Sequence, residues 1–133
     1  MPERASVLLA IAAGSGLGGL LRLLFTAKAT PDFPWGLLLA NLLGCFLIAF
    51  YHELTRPGGR IYHRPVLRQF IMSGLLGGFT SFSLVALESL LLASASGAWA
   101  VIGFLLLSGL SWIAAAYLGR SLARLMMFHS RGA

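Results

Sequence analysis

Acidic groups are scarce in this sequence. Asp and Glu together number 4 among 133 residues, and charged residues of both signs make up 11% of the chain. Glu3, Asp32 and Glu53 flank the apolar stretches, and Glu88 lies off the centre of its own. No early apolar segment therefore carries a central carboxylate able to bind cations and protons in turn. Histidine is equally sparse: His52, His63 and His129 lie in or beside polar segments, without the spacing of a metal site or of a nucleophile and its base. They read as solvated interface residues. The one cysteine, Cys45, excludes an internal disulfide, and its place in an apolar run reads as a small buried hydrophobe. A chain this short leaves little room for a soluble catalytic module, so a membrane enzyme is the least favoured class.

The chain is rich in apolar residues, at 58%, and its mean hydropathy of +0.85 is too high for a soluble domain of this size. A helix needs about 20 mostly apolar residues to cross about 30 Å of hydrocarbon. Four stretches qualify, at about 5–25, 35–51, 69–92 and 99–119, and predict one all-α membrane domain. The segments KATPDFP and TRPGGRIYHRP, with two prolines each, and the small-residue turn ASASG separate them. The first stretch has a rival reading as a signal peptide, with Ala27-Lys28-Ala29 imitating a cleavage site. Arg22 interrupts the approach to that site, and Gly14, Ser15, Gly18 and Gly19 suit helix packing, so the stretch is read as a retained helix.

An even number of spans puts both termini on one side. That side holds Arg4, Arg56, Arg60, Arg64, Arg68, Arg120, Arg124 and Arg131, against Arg22 and Lys28 on the other. Positive charge in short loops favours the cytoplasm, so both termini and the linker around Pro57 are predicted cytoplasmic. The surplus of +6 follows from topology and contact with anionic lipid heads, without nucleic acid. Arg60 and Arg64, four apart, leave room for a short amphipathic stretch, against which Gly58 and Gly59 argue.

Small residues recur at helix-packing spacing: Gly14 with Gly18, Ser15 with Gly19, Ser73 with Gly77. Polar residues at depth need more explanation. Asn41 sits within the second span, and Ser108 and Ser111 share a face of the fourth. In the third, Gly77, Gly78, Thr80, Ser81 and Ser83 oppose a regular helix by backbone freedom and by competing hydrogen bonds. An interruption there survives only where protein, water or an ion satisfies the released groups, and such interruptions bind ions. Phe79 and Phe82, three apart, read as packing or as ring edges facing a small anion. Glu88 reaches the far interface or marks a functional site.

GGFTSFS, preceded by the apolar third span, resembles the GGxTTFSTF signature of the Fluc fluoride channels, also called CrcB proteins. PWGLLLANLLGCFLIAF resembles that family's second helix, and the glycine-rich first helix closing on Arg22 and the chain length match as well. The resemblance covers nearly the whole sequence. It implies an antiparallel dimer, with a second copy or a homologous subunit, embedded in the cell (inner) membrane. Two fluoride pores would run along the interface, and a structural sodium ion would sit at its centre. The third helix would be broken near its middle. Carried over by motif, Gly77 and Thr80 would offer backbone carbonyls to sodium, Asn41 and Phe82 would line the fluoride path, and Ser83 would support it. Glu88 would lie near a pore mouth, and Ser108 would belong to the polar track of the fourth helix. The implied function is passive export of cytoplasmic fluoride, conferring fluoride resistance. A small four-span cation or drug antiporter and a non-transporting scaffold are the alternatives.

Three departures stand out. Val85 replaces the signature's second phenylalanine, Leu37 and Leu39 replace residues that are often hydroxylated, and Phe104 stands where a tyrosine is expected. The one-sided charge also conflicts with a chain that must insert both ways. Together they point to a homologous partner of opposite bias that supplies the missing phenylalanine.

Overall fold

The structure, a computed structural model, describes residues 2–27, 33–59 and 61–129. Lys28, Ala29, Asp32, Arg60 and Arg131, used above for the first turn, the linker and the charge bias, lie outside them, as does the side chain of His129.

Helix α1 (Pro2–Thr26) is followed by α2 (Trp35–Thr55), which begins directly after Pro34. Helix α3 (Pro65–Gln69) opens with proline at its first position, where the missing N–H costs nothing. It runs into a π-helical segment, Phe70–Leu76, and then into α4 (Gly77–Phe79). The backbone next turns extended at Thr80 (φ −84°, ψ 153°) and Ser81 (φ −153°, ψ 115°) before α5 (Phe82–Ser96) and α6 (Ala98–His129). Among the described residues, four stretches are long and apolar enough to cross a membrane: Glu3–Thr26, Trp35–Thr55, Pro65–Ser96 and Ala98–Phe128. Their outer faces carry exposed Leu8, Leu24, Leu106 and Ile113, side chains that suit hydrocarbon and not water.

The helices associate as two parallel pairs. In the first, α1 lies on the π segment and α4 with backbones almost in contact. A Cβ on Gly14 would fall 2.9 Å from the Gly74 Cα, one on Gly18 would fall 2.1 Å from the Leu75 carbonyl oxygen, and one on Gly78 would fall 2.5 Å from the Ser15 carbonyl oxygen. In lipid, where apolar burial drives little association, such close approach is what holds helices together. The small pair expected in the third span was Ser73 with Gly77; these two are exposed, and Gly74 with Gly78 make the contact. The wider π turn shifts the face that the following residues present, and a regular helical spacing does not foresee this.

In the second pair, α2 packs along α6, where a Cβ on Gly119 would meet the Phe46 carbonyl oxygen at 2.3 Å. Helix α6 continues past Gly119, where the apolar window ends, because Arg120 and Arg124 find a partner in Glu53. Glu53, read above as merely flanking its span, is 2% exposed. Its Oε1 accepts from Arg124 Nε at 2.9 Å and lies 3.0 Å from an Arg56 nitrogen, and its Oε2 lies 3.4 Å from Arg120 Nε. This cluster joins the C-terminal ends of α2 and α6, so exposed Trp35 and Trp99, at the beginnings of the same helices, share the opposite end. Indole rings at that level suit a membrane–water interface.

The connections also depart from expectation. Residues 61–64 form no helix, so the amphipathic stretch is absent among the described residues of the linker. His63 is half-buried, and its Nδ1 is hydrogen-bonded to the Tyr51 hydroxyl, so it is not simply solvated. Within ASASG only Gly97 leaves the helix, at φ 82°, a conformation that favours glycine.

Gly18→Ala is expected to lower the stability of the detergent-solubilised protein by about 1–3 kcal/mol, through overpacking against the backbone of the π segment. Gly16→Ala, whose added Cβ would meet nothing within 4 Å, is expected to leave stability unchanged or raise it. Thermal unfolding followed by tryptophan fluorescence compares them.

Candidate functional site

Midway along Pro65–Ser96 the extended residues Thr80 and Ser81 release backbone groups from regular helical pairing, in a region where hydrocarbon offers no substitute. Two neighbouring helices satisfy them. Asn41, 3% exposed on α2, turns its amide edge to Ser81. The Ser81 N–H donates to Asn41 Oδ1 at 2.8 Å, and Asn41 Nδ2 donates back to the Ser81 carbonyl at 3.2 Å. The side-chain amide thus imitates a strand neighbour. From α1, Arg22 donates through one terminal nitrogen to the carbonyls of Gly78 (2.9 Å) and Thr80 (3.0 Å). A guanidinium placed on carbonyls that end a helix segment also meets the negative end of its dipole.

Hydroxyls complete the arrangement. Ser81 is the N-cap of α5, its Oγ accepting from the Leu84 N–H at 3.2 Å, and it lies 3.1 Å from Ser83 Oγ. Thr80 Oγ1 donates back to the Leu76 and Gly77 carbonyls, each at 3.3 Å, while its methyl group sits where a Cβ on Gly44 would be. Gly44 is therefore what lets α2 come close enough for Asn41 to reach Ser81.

Asn41, Ser81 and Ser83 thus form one hydrogen-bonded constellation, and Arg22 joins the adjoining carbonyls of Gly78 and Thr80. Gly77 is exposed beside it, and the helical partner of its carbonyl, the Ser81 N–H, is engaged by Asn41. Phe82 projects from the start of α5 with 75% of its surface exposed. Phe79 does not accompany it; it is buried and meets Phe25 edge-on, with centroids 5.2 Å apart. Ser108 stands elsewhere, 1% exposed on α6, and its hydroxyl and the Trp112 Nε1 are buried without a hydrogen-bond partner among the described residues. Ser111 bonds back to the Ser108 carbonyl of its own helix, at 2.9 Å. Glu88 is half-buried on α5, further along from Phe82.

The departures from the family pattern prove to be neighbours. Leu37, Val85 and Phe104, with Leu92, form one buried cluster, against which Phe33, Leu84 and Trp112 pack. Leu39 points outward instead. Val85 is 1% exposed, so its side chain faces the intrachain core and not the open face that Phe82 occupies.

The contact of Arg22 with the interruption escaped the sequence reading, which used the residue as a charge, as a helix end and against a signal peptide. Ser81 carried a legible signal, a hydroxyl just ahead of an apolar helical run, which is the signature of an N-cap.

Asn41→Leu leaves the Ser81 N–H without a partner, at about 1–3 kcal/mol, and removes a second bond from a Ser81 carbonyl that α5 still engages at its N-cap. Its unfolding midpoint in detergent is expected to fall accordingly. Ser83→Ala, which removes one exposed hydroxyl contact, is expected to stay within about 1 kcal/mol of the parent in the same measurement.

The sequence profile of the family described as "CrcB-like protein, Camphor Resistance (CrcB)" matches residues 9–120. The chain is 38% identical over 125 residues to a Rhodopseudomonas palustris protein named fluoride-specific ion channel FluC 1, covering 91% of this chain and 89% of the relative. A Bradyrhizobium diazoefficiens protein of the same name is 37% identical, over 85% and 81% of the two chains. A Rhizobium meliloti fluoride-specific ion channel FluC is 35% identical, over 90% and 98%. Matched through all four apolar helices, with the interrupted segment inside the matched region, the chain belongs to the CrcB family.

Proposed function

We propose that this protein is a subunit of a fluoride-selective channel that lets cytoplasmic fluoride leave passively across the cell membrane. The observation that carries the reading is the interrupted backbone held by Asn41 and Arg22 beside an exposed Phe82 ring. An Asn amide has two N–H donors. One is spent on the Ser81 carbonyl, and the second is available to a small anion. The edge of the Phe82 ring is electron-poor and favours an anion where the face would favour a cation. Ser83 offers a hydroxyl next to it, and Glu88 lies toward a mouth of the path, whereas Ser108 is buried away from the Phe82 face. The names of the relatives support the same reading. Nothing in it calls for enzymatic chemistry.

Arg22 remains at the interruption as a positive charge. Gly77 and Thr80 fit the structural sodium ion that the family resemblance implies. Both present neutral carbonyl oxygens, the Gly77 carbonyl released from its helical N–H and the Thr80 carbonyl retaining a lone pair beyond the one that Arg22 uses. Bound there, the ion would supply positive charge at the junction of two subunits. Glu53, held by three arginines at one end of the molecule, is unsuited to carry protons for an antiporter.

The partner in this reading is a homologous subunit in antiparallel orientation. Val85 is committed to the buried cluster with Leu37 and Phe104, so the second ring of the pore comes from the other chain. The arginine bias favours one orientation, with both termini cytoplasmic. Reconstituted with an oppositely biased homologue, the protein is expected to release fluoride and retain chloride, and Asn41→Asp in this chain to stop the efflux. Equal passage of chloride would reject the channel. Efflux from liposomes holding this chain alone, with its termini mapped to both sides, would reject the heterologous partner and leave the channel standing.

A further inference from the structure

The cluster around Glu53 holds more positive charge than the carboxylate neutralises. Arg56, Arg120 and Arg124 face one buried acid, leaving two positive charges in excess, and each guanidinium is about half exposed. Arg120 and Arg124 approach Glu53 through Nε and turn about half of their side-chain surface outward. Glu53 thereby acts as an anchor that fixes the arginine side chains in place, and their entropy cost is already met before a ligand arrives.

Beside this anchor lies a cavity of about 230 Å³, lined by Arg56, Gly58, Arg124, Met127 and Phe128. Its two walls differ. Arg56 and Arg124 present guanidinium groups, whereas Met127 and Phe128, the latter 75% exposed, present apolar surface at the end of α6. The cavity sits where the apolar spans Trp35–Thr55 and Ala98–Phe128 both end, at the opposite end from exposed Trp35 and Trp99. This is the level at which lipid phosphates meet the hydrocarbon boundary.

We propose that this cavity binds one anionic phospholipid, its phosphodiester on Arg56 and Arg124 and the start of its acyl chains against Met127 and Phe128. Arginine matches the geometry of phosphate oxygens with paired N–H donors, and a basic recess between helix ends on one side of the membrane suits an anionic headgroup. The apolar wall distinguishes a lipid from free phosphate, which gains nothing from Met127 or Phe128. The site requires only that the helices span a membrane, and it stands whether or not the channel reading does.

Native mass spectrometry of the full chain in detergent, offered equal amounts of phosphatidylglycerol and phosphatidylcholine, tests the site. Phosphatidylglycerol is expected to be retained over phosphatidylcholine by about tenfold or more. Arg56→Gln combined with Arg124→Gln is expected to erase the preference, and Arg4→Gln combined with Arg64→Gln, which removes equal charge elsewhere, to preserve it. Should the first pair lose its helical circular dichroism, Arg56→Gln alone serves, because Glu53 keeps Arg120 and Arg124. Equal loss in the control pair would reduce the effect to diffuse charge and overturn the site. Displacement of the lipid by equimolar inorganic phosphate, or the absence of any preference, would overturn it as well.

Discussion

The N–H of Ser81 and the carbonyls of Gly78 and Thr80 must find partners in the middle of an apolar layer, and much of the molecule is arranged to supply them. Asn41 reaches Ser81 only because Gly44 lets Thr80 approach α2. Arg22 reaches Gly78 and Thr80 only because α1 runs parallel to the π segment and α4 at glycine-limited distance. Each unmet backbone group at that depth would cost several kcal/mol. The close packing of α1, the register of α2 and the extended turn at Thr80–Ser81 are therefore one linked arrangement, and the exposed Phe82 ring takes its position from it.

Charge is divided along the same axis. One end of the α2–α6 pair carries Glu53 with its three arginines, and the other carries exposed Trp35 and Trp99. Burial of Glu53 is tolerable because each oxygen has a cationic partner. Toward the tryptophan end, Leu37 and Phe104 of the pair close on Val85 and Leu92 of α5. That side of the molecule is thus largely apolar, with the Ser108 hydroxyl and the Trp112 nitrogen as buried polar groups.

The sequence made the four membrane-length helices legible, because apolar run length and proline-bearing gaps are local properties. Asn41 and the Gly77–Ser83 stretch stood out for a similar reason: hydrogen-bonding residues within an apolar run are costly without partners. What those residues touch was not legible. The pairing of Asn41 with Ser81 and the double contact of Arg22 depend on helix register across the molecule. The replacement of Ser73 and Gly77 by Gly74 and Gly78 at the contact depends on the π turn, which sequence spacing does not encode. The partners of Glu53 at the end of its span were not legible, because Arg56 is only one of three and Arg120 and Arg124 are remote along the chain.

The connection between α5 and α6 is a single residue, Gly97, whose backbone N–H still bonds to the Ala93 carbonyl. With no slack between them, the last two segments form a tight hairpin whose two arms cannot move far apart at that end. On that side of the membrane the turn offers no loop for a protease to cut or an antibody to grasp.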